Sequence, residues 1–398
     1  MPITKKIRGF IERASWIRRM FEEGRQLKAK YGEENIFDFS LGNPFLEPPP
    51  EFTEALIQVA QDTTPRRHVY MPNAGFPETR QAIAENVSFE QGIKVSPDKV
   101  MMTCGAAGAL NIIFKTLLSP GEEAILFTPY FAEYFFYVDN SGGKPILVPT
   151  ADDFSINVGA LEPSITSNTR AVLINSPNNP TGKVYAESNL KDLADLLSQK
   201  SCKYGKPIYL ISDEPYKKIV YDGVTVPAIF PLYQNSLIAT SYSKSLSLAG
   251  ERIGYIAAHP EIEKVDEIID GFILCIRILG FVNAPALMQR VITRVTGLAC
   301  DADEYKRKRD LLCGGLAQFG YKFYKPEGAF YLFPQSLMED DIQFVKELQK
   351  QKILTVPGSG FGTPGYFRIS YCVADETIIR AMEGFRVTAE KYRSLGFC

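Results

Sequence analysis

Lys244 stands in a setting that differs from that of an ordinary surface lysine. It follows an apolar run at residues 237–240 and is flanked by the small hydroxylated residues Ser241 and Ser243. A lysine held near other cations in a partly desolvated pocket can lose its proton and form a Schiff base with an aldehyde. The hydroxyls of Ser241 and Ser243, together with the guanidinium of Arg252, are suited to bind a phosphate. This setting favours a nucleophilic lysine over the common alternative, a solvated surface charge.

A carboxylate and two hydrogen-bond donors follow other apolar runs. Asp213 comes at the end of the run 208–211, where its ordinary interpretation is a helix N-cap or a turn. Near a lysine at a neighbouring strand end, a buried carboxylate can instead keep a pyridinium nitrogen protonated, which makes the ring an electron sink. The Pro- and Gly-rich segment 175–182 predicts a tight loop that presents Asn179. Asn179 and Tyr216 can each donate a hydrogen bond to a phenolic oxygen.

The segment 105–109 places small residues at the start of a helical pattern, directly after a predicted strand at 100–103. Small residues at a helix N-terminus expose backbone N–H groups, which bind phosphate together with the helix dipole. Gly105, Ala106 and Ala107 are therefore candidates for a phosphate cradle. Close packing of the helix explains the same small residues, and this alternative stays open.

Four apolar runs precede these polar residues and are predicted to be buried parallel strands. They lack the alternation of a half-exposed strand, and helical patterns separate them at the spacing of βαβ units. The runs are residues 124–127, 171–174, 208–211 and 237–240. Ligands bind at the carboxyl ends of the strands in open α/β sheets. The four strand ends are therefore expected to meet at one site.

The pattern of predicted elements changes near residue 290. Regularly alternating strands and helices give way to a shorter region that contains both. We predict a large doubly wound domain at 46–289, a smaller α+β domain at 290–398, and an N-terminal arm at 1–45 that is associated with the small domain. A chain of 398 residues, of which 45% are hydrophobic, is long enough to bury cores of this size.

The composition argues against several classes of protein. The 44 Lys and Arg residues nearly balance the 46 Asp and Glu residues, so no global field favours nucleic acid or an anionic membrane. No apolar run is long enough to span a bilayer. Two histidines, and seven cysteines without a Cys-x-x-Cys pair, leave little material for a metal site or a disulfide framework. We expect no metal, small-molecule partners and a cytoplasmic location.

Together these residues resemble the class I/II aminotransferases, the aspartate aminotransferase-like enzymes of pyridoxal 5′-phosphate (PLP) fold type I. The resemblance covers residues 41 to 371. Four motifs occur in the order of that family, namely Asn-Pro-Thr-Gly, Asp-Glu-x-Tyr, Ser-x-Ser-Lys and an arginine eight residues after the lysine. The resemblance implies an α/β fold of type I, with a large, mostly parallel sheet domain and a smaller α+β domain, and it implies PLP as the cofactor.

The resemblance also implies roles for the residues of these motifs. Lys244 matches the lysine that carries the cofactor as a Schiff base, and Arg252 matches the arginine that binds its phosphate. Asp213 matches the aspartate that pairs with the pyridine nitrogen. Tyr216 and Asn179 match the residues that bond the ring hydroxyl. Lys244, Asp213 and Tyr216 are accordingly the expected catalytic residues.

Matches outside these motifs extend the expected site to the substrate and to a second subunit. Phe131 resembles the aromatic residue that stacks on the cofactor ring, and Tyr70 resembles the tyrosine that reaches the phosphate of the neighbouring subunit. Arg368 matches the arginine that grips the substrate α-carboxylate with two parallel hydrogen bonds. Gly42 resembles the residue whose backbone faces that carboxylate. The resemblance therefore implies a homodimer.

The implied activity is transfer of an amino group from an L-amino acid to a 2-oxo acid, commonly 2-oxoglutarate, in two ping-pong half-reactions. A C–S β-lyase or a decarboxylase on the same scaffold is the alternative, because the fold does not decide how the substrate carbanion reacts. Some bacterial aspartate aminotransferases hold the side-chain carboxylate with a lysine where this chain has Ala107. Arg277 is either a distal-carboxylate contact supplied to the other subunit or a surface residue that pairs with an acid such as Asp270.

Overall fold

The structure is a computed structural model that describes residues 2–13 and 15–394. Residues 1 and 14, which belong to the predicted arm, lie outside the described residues. Residues 395–398, at the end of the predicted small domain, also lie outside them.

Within these ranges the chain forms fourteen α-helices and twelve strands, besides short 3-10 turns. The helices are α1 (Lys5–Arg13), α2 (Ser15–Tyr31), α3 (Pro50–Gln61), α4 (Pro77–Gln91), α5 (Gly105–Leu117), α6 (Glu133–Asn140), α7 (Val158–Leu161), α8 (Glu187–Tyr204), α9 (Tyr242–Ser245), α10 (Val265–Ile278), α11 (Ala286–Val295), α12 (Ala302–Gln318), α13 (Asp341–Lys350) and α14 (Asp375–Ser394). The strands are β1 (Phe37–Asp38), β2 (Val100–Thr103), β3 (Glu123–Thr128), β4 (Lys144–Pro149), β5 (Thr169–Asn175), β6 (Tyr209–Asp213), β7 (Ser236–Ser241), β8 (Gly254–Ala258), β9 (Tyr331–Leu332), β10 (Ile353–Leu354), β11 (Val356–Pro357) and β12 (Phe367–Ser370). None of the described helices has the length and apolar character needed to cross a membrane.

A seven-stranded sheet with the order β2-β8-β7-β6-β5-β3-β4 forms the centre of the molecule. β8 runs antiparallel to its neighbours β2 and β7, and the remaining neighbouring pairs are parallel. The four apolar runs that predict strands form β3, β5, β6 and β7, as expected. The register pairs Asn175 with Asp213 and Asp213 with Ala239, so the polar strand ends lie side by side.

Helices cover both faces of this sheet, because successive strand residues point to opposite faces. Ile125 and Val172 pack on one face with residues of α3, α4, α8 and α11. Leu126 and Leu173 pack on the other face with residues of α5 and α10. A strand that is buried on both faces has apolar residues at every position. The sequence of these strands therefore shows no alternation of apolar and polar residues. The predicted doubly wound, mostly parallel α/β fold is confirmed.

Helix α8 shows how local sequence produces one of these covering helices. Leu190, Leu193, Ala194 and Leu197 recur at helical spacing and are all buried against the sheet. The helix ends at Gly205, whose φ of 65° places it in the left-handed region that glycine adopts without strain. Burial of each leucine contributes about 1.5–3 kcal/mol to holding the helix on the sheet.

A second, smaller unit contains the antiparallel sheet β11-β12-β9 and the helices α12, α13 and α14. Its core is aromatic, with Tyr305, Phe344 and Phe385 among its buried residues. Helix α13 begins at Asp340, whose carboxylate accepts hydrogen bonds from the backbone N–H groups of two following residues. Arg368 lies on β12, so this small sheet positions one of the predicted site residues.

The N-terminal arm contacts both units. Strand β1 of the arm pairs with β10 in parallel. Helix α1 lies against α6 of the large unit, where Lys6 forms an ion pair with Asp139 and the Phe10 ring packs 5.0 Å from that of Phe136. The predicted boundary at 289/290 falls inside α11, whose buried residues pack with the large-domain core, so a boundary after Val295 fits the packing better. The division of the chain into three parts otherwise stays a prediction.

Candidate active site

A cavity of about 280 Å³ lies where the ends of β5, β6 and β7 meet the N-terminus of α5 and the small strands β9 and β12. It is lined by twelve of the fourteen predicted site residues: Gly42, Ala106, Ala107, Phe131, Asn179, Asp213, Tyr216, Ser241, Ser243, Lys244, Arg252 and Arg368. Gly105 borders the cavity beside Arg252, and Tyr70 lies outside it. The chain therefore brings together residues that are as far as 326 positions apart in the sequence, Gly42 and Arg368.

Lys244 lies on the short helix α9, directly after the end of β7. Its ammonium nitrogen Nζ donates a hydrogen bond of 2.6 Å to the backbone oxygen of Gly42. Burial lowers the pKa of Lys244 to about 8. The Cys372 thiol opposes this shift, whereas Arg368 and Arg252 add to it. A substantial fraction of Lys244 is therefore the neutral amine near neutral pH, the form that attacks an aldehyde.

Asp213 is the last residue of β6 and is buried. One carboxylate oxygen, Oδ2, accepts a hydrogen bond from the hydroxyl of Tyr134. The other oxygen, Oδ1, is buried and has no hydrogen-bond partner among the described residues. Burial raises the pKa of Asp213 to about 7, the Tyr134 hydrogen bond lowers it, and the neighbouring Glu214 raises it. A cationic N–H group placed at Oδ1 would pair with this carboxylate and keep it ionised.

The N-terminus of α5 and the hydroxyls after β7 line the same end of the cavity. Gly105 begins α5 with a φ of 77°, and a Cβ at this position would lie 3.1 Å from Nη2 of Arg252. Glycine at 105 thus permits both the backbone turn and the approach of the guanidinium. Ser241 and Ser243 line the cavity beside Arg252. Backbone N–H groups, hydroxyls and a guanidinium together form a phosphate-binding donor set.

Arg368 is buried at the opposite end of the cavity and is held on several sides. Its Nη1 donates to Oδ1 of Asn179 at 3.1 Å, and its Nη2 donates to the backbone oxygen of Ser40 at 2.6 Å. The guanidinium carbon lies 4.7 Å from the centroid of the Tyr331 ring and 4.8 Å from that of the Phe361 ring. Its Nε is buried and has no hydrogen-bond partner among the described residues. A buried guanidinium with a spare donor is suited to bind a carboxylate.

The residues present fit PLP. The lone Oδ1 of Asp213 matches the pyridinium N–H of the ring, and the donor set at the start of α5 matches the phosphate. Asn179 and Tyr216 line the cavity between Asp213 and Arg368 and can donate to the ring hydroxyl. Lys244 supplies the amine that the aldehyde of the cofactor requires. Phe131 lines the same cavity with a flat aromatic face.

Two aromatic residues in this site were not assigned a function from the sequence. Tyr134 on α6 donates a hydrogen bond to Asp213, and its ring lies 5.4 Å from that of Phe131, which precedes the helix. Tyr331 lines the cavity from β9, and its hydroxyl lies 2.9 Å from that of Tyr216. The short distance in sequence between Tyr134 and Phe131 was a usable signal for Tyr134. A two-residue strand gives no comparable signal for Tyr331.

Two residues considered in the sequence lie away from the cavity of their own chain. Tyr70 has 88% of its surface exposed. Arg277 is an exposed residue near the end of α10 and does not line the cavity. Neither placement tests a contact with a second subunit.

The fold and this cavity define an α/β enzyme of PLP fold type I, with a lysine, an aspartate and two arginines at the positions that such chemistry requires. Residues 34–385 match the model of the family aminotransferase class I and II. The chain belongs to that family and is a PLP-dependent aminotransferase, which acts on amino acids and 2-oxo acids. No finding favours the alternative of a lyase or a decarboxylase.

Individual relatives agree with this membership. The chain is 31% identical to a probable aspartate/prephenate aminotransferase of Aquifex aeolicus, over 93% of this chain and 94% of the relative. It is 32% identical to aromatic-amino-acid aminotransferase 2 of Thermococcus litoralis, with the same coverage of 93% and 94%. The crystal structure of an amino transferase from Eubacterium rectale superposes with a TM-score of 0.95 at 41% identity, covering 98% of this chain and 99% of that one.

Proposed function

We propose that Lys244, Asp213 and Arg368 divide the work of transamination between them, with Lys244 as the nucleophile and base. The observation that carries this proposal is that one cavity contains a lysine with a lowered pKa, an aspartate with a buried unpaired oxygen and an arginine with a buried unpaired N–H. PLP, when bound, supplies an aldehyde for imine formation and a ring that accepts negative charge from the substrate Cα.

Lys244 would hold PLP covalently through its neutral Nζ. With an amino acid bound, the freed Nζ would accept the substrate Cα proton and return a proton to the cofactor carbon; addition of water would then release the 2-oxo acid and leave the amino group on the cofactor. The hydrogen bond from Nζ to the Gly42 oxygen shows that the amine can reach the wall of the cavity that faces Arg368. A 2-oxo acid, which we propose to be 2-oxoglutarate, uses the same residues in reverse.

Asp213 keeps the ring nitrogen protonated through Oδ1 while Tyr134 holds Oδ2. Tyr216 and Asn179 donate hydrogen bonds to the ring hydroxyl. Ser241, Ser243 and Arg252, with the start of α5, hold the phosphate. Arg368 binds the substrate α-carboxylate through Nε and a terminal nitrogen, and Phe131 stacks on the ring.

The donor is an L-amino acid with an apolar or aromatic side chain. The cations that line the cavity are Lys244, Arg252 and Arg368, and each already has a role. The lining otherwise includes Leu41, Leu110 and several aromatic rings, and it has Ala107 where some bacterial aspartate aminotransferases hold the side-chain carboxylate with a lysine. The relatives named for aspartate/prephenate and for aromatic amino acids show that both kinds of donor occur in this family.

A panel of amino acids assayed with 2-oxoglutarate tests the donor class, and the variant Arg277→Leu tests the remaining source of a distal cation. Higher kcat/KM for leucine and phenylalanine than for aspartate and glutamate supports the proposal. If aspartate is the best donor and Arg277→Leu selectively removes that activity, the donor class is acidic and Arg277 supplies the missing charge. An equal effect of Arg277→Leu on all donors assigns it to the scaffold.

We also propose that the enzyme is a homodimer with shared active sites. Tyr70 is largely exposed although it is aromatic, and Leu274 and Ile278 on α10 are more than half exposed. Asn73 donates a hydrogen bond of 2.7 Å to the backbone oxygen of Val282, so the loop that carries Tyr70 lies against the chain just after α10. Exposed apolar residues of this kind are suited to contact an identical subunit.

Subunit exchange tests the shared site. An inactive Tyr70→Ala enzyme mixed with an inactive Lys244→Ala enzyme should regain activity, because mixed dimers contain one site with both residues intact. Absence of recovery, with exchange demonstrated by differently tagged subunits, would contradict sharing. We place the enzyme in the cytoplasm, since the six described cysteines are free thiols, as in a reducing compartment.

A further inference from the structure

Tyr331 is a buried residue of β9 that connects the two ends of the cavity. Its hydroxyl lies 2.9 Å from the hydroxyl of Tyr216. Its ring lies against the Arg368 guanidinium, at 4.7 Å from ring centroid to guanidinium carbon. The antiparallel pairing of β9 with β12 fixes this geometry, because it aligns Tyr331 with Ser370, two residues after Arg368. One side chain therefore touches a residue at the cofactor and a residue at the substrate.

Gly42 shows how closely the arm packs on this tyrosine. A Cβ at position 42 would lie only 1.9 Å from the Tyr331 hydroxyl oxygen. The backbone oxygen of Gly42 accepts the hydrogen bond from Lys244. The absence of a side chain at residue 42 is therefore what lets Tyr331, the arm and Lys244 meet at one point of the cavity.

We propose that Tyr331 is a positioning residue of this active site, whose hydroxyl orders Tyr216 and whose ring orders Arg368. The proposal rests on the proposed roles of Tyr216 at the cofactor and of Arg368 at the substrate carboxylate. Tyr331 itself is not assigned a contact with the reacting atoms.

The hydroxyl acts through a chain of two hydrogen bonds. Burial raises the pKa of Tyr331 to about 12 and also raises the pKa of Tyr216. Each tyrosine therefore keeps its proton near neutral pH. When Tyr216 donates its proton to the ring hydroxyl of the cofactor, its oxygen is free to accept the proton of Tyr331. A donor to the Tyr216 oxygen makes Tyr216 a stronger donor in turn, because hydrogen bonds in a chain polarise one another.

This chain gives a spectroscopic readout that is independent of turnover. Donors to the ring oxygen stabilise its negative charge, and a better stabilised oxygen holds the neighbouring Schiff-base proton less tightly. Loss of the Tyr331 hydroxyl should therefore raise the pH midpoint at which the absorbance of the enzyme-bound cofactor changes. The other charged or titratable groups at the cavity are Asp213, Lys244, Arg252, Arg368, Tyr134, Tyr137 and Cys372, and the substitution leaves all of them in place.

The ring acts on Arg368 by stacking. Together with Phe361, whose centroid lies 4.8 Å from the guanidinium carbon, Tyr331 limits the movement of the guanidinium, and this restriction favours the two parallel hydrogen bonds that a carboxylate requires. Tyr331→Phe keeps this ring and removes only the hydroxyl. Tyr331→Leu removes both.

Four variants of the holoenzyme test the two halves of the proposal: Tyr331→Phe, Tyr331→Leu, Tyr216→Phe and Tyr371→Phe. Tyr371 is the matched control. Its hydroxyl lies 3.3 Å from that of Tyr221, and this second pair of tyrosines belongs to the same core but does not line the cavity. Each variant is titrated by absorbance without substrate. Each is then titrated with 3-phenylpropionate, a carboxylate that has no amino group and cannot react.

Tyr331→Phe should raise the spectral midpoint by about half a pH unit or more, as expected for one lost hydrogen bond in a buried chain. It should leave the Kd of 3-phenylpropionate within about twofold of wild type, since the ring remains. Tyr331→Leu should raise the midpoint similarly and weaken 3-phenylpropionate by about tenfold. Tyr371→Phe should change neither quantity.

The outcomes that overturn the proposal are distinct from those that overturn the proposed function. A shift in Tyr216→Phe without one in Tyr331→Phe refutes the role of the Tyr331 hydroxyl and leaves Tyr216 at the cofactor. No shift in either variant refutes the assignment of Tyr216 itself. Wild-type binding of 3-phenylpropionate by Tyr331→Leu, or by Tyr331→Met if the leucine variant does not fold, refutes the role of the ring.

Discussion

The cofactor half of the cavity and its substrate half are built from different parts of the chain. Asp213, Lys244 and Arg252 form the cofactor half, and they lie at or just beyond the ends of strands in one sheet. The substrate half contains Gly42, which follows β1 of the arm, and Arg368 on β12 of the small unit. The first half depends on one rigid sheet, whereas the second half forms only when the arm and the small unit pack together.

The two halves are also suited to bind groups of opposite charge. Asp213 has an unpaired acceptor that matches a cationic ring nitrogen, and Arg368 has an unpaired donor that matches a carboxylate. Lys244 lies between them and takes its lowered pKa mainly from burial, with a contribution from each arginine. Variants in the cofactor half should therefore change the state of the cofactor. Variants in the substrate half should mainly change substrate affinity.

The largest effect is expected for Lys244→Ala, which removes the nucleophile and base. Turnover should fall by about 10⁴-fold or more, the upper end of what a positioned base contributes. The variant should also lose the absorbance of the Schiff base that borohydride bleaches in the wild-type enzyme. Lys218→Ala is the control, since Lys218 does not line the cavity and pairs with Glu90 at 3.5 Å. Near-normal turnover by Lys244→Ala would show that another group is the base.

Asp213→Asn should bind PLP yet lower kcat by roughly 10²- to 10³-fold, the cost of breaking a buried ion pair. A neutral amide cannot hold the ring nitrogen protonated as an ion pair, so the ring accepts less charge. The measurements are kcat, and the Kd of PLP for the apoenzyme. Asp152→Asn, an exposed aspartate outside the cavity, is the control. If Asp213→Asn turns over at a wild-type rate, Asp213 does not support the ring.

Arg368→Leu probes the substrate half and should lower kcat/KM by about 10²-fold, as expected for a lost charge-assisted pair. The loss should be similar for all donors, because every substrate has an α-carboxylate. Arg368→Lys, which keeps the charge without the planar fork, should be intermediate. The absorbance of the resting cofactor should change less than in Asp213→Asn. A spectral change as large as that of Asp213→Asn would erase the distinction between the two halves.

The same contrast explains how much the sequence predicts. Asp213, Asn179 and Lys244 each follow an apolar run within five residues, so local sequence predicts both the strand and the side chains just beyond it. The strand order then places them together by the rule that parallel strands end at one edge. The sheet and most of the cofactor half can be predicted in this way.

The rest depends on packing that no local pattern encodes. Tyr331 lies on a strand of two residues, and its contact with Tyr216 joins positions 115 residues apart. A change in the pattern of predicted elements near residue 290 does not reveal that α11 packs on α3 and α4. The hydrogen bond from Tyr134 to Asp213 likewise requires α6 to be docked over the end of β6.

The pH dependence of cofactor loading connects the two halves. Lys244 in the folded apoenzyme has a pKa of about 8, below the ordinary 10.5, so its reactive neutral form dominates above pH 8. The rate of reconstitution with PLP should rise tenfold per pH unit up to about pH 8 and then level off, so that it is about tenfold below the plateau at pH 7. In Arg368→Leu the midpoint should move up, because a repelling positive charge is lost. A rate that still rises at pH 10 would contradict the lowered pKa.

The smallest effect is expected for Tyr134→Phe. This variant removes the hydrogen bond to the Asp213 carboxylate and leaves the carboxylate itself in place. The variant keeps the ring beside Phe131 and Asp213 and removes one hydrogen bond to Oδ2. That bond lowers the pKa of Asp213 against the effect of burial, so its loss should make the apoenzyme carboxyl hold its proton to higher pH. In the holoenzyme the ion pair at Oδ1 remains, and kcat should fall only about five- to tenfold, the effect of one hydrogen bond to a charged group.

The measurement is kcat beside that of Asp213→Asn, with Tyr233→Phe, a buried tyrosine outside the cavity, as the control. A loss equal to that of Asp213→Asn would make Tyr134 essential to the ion pair, and no loss at all would mean that the end of β6 holds Asp213 in place without it.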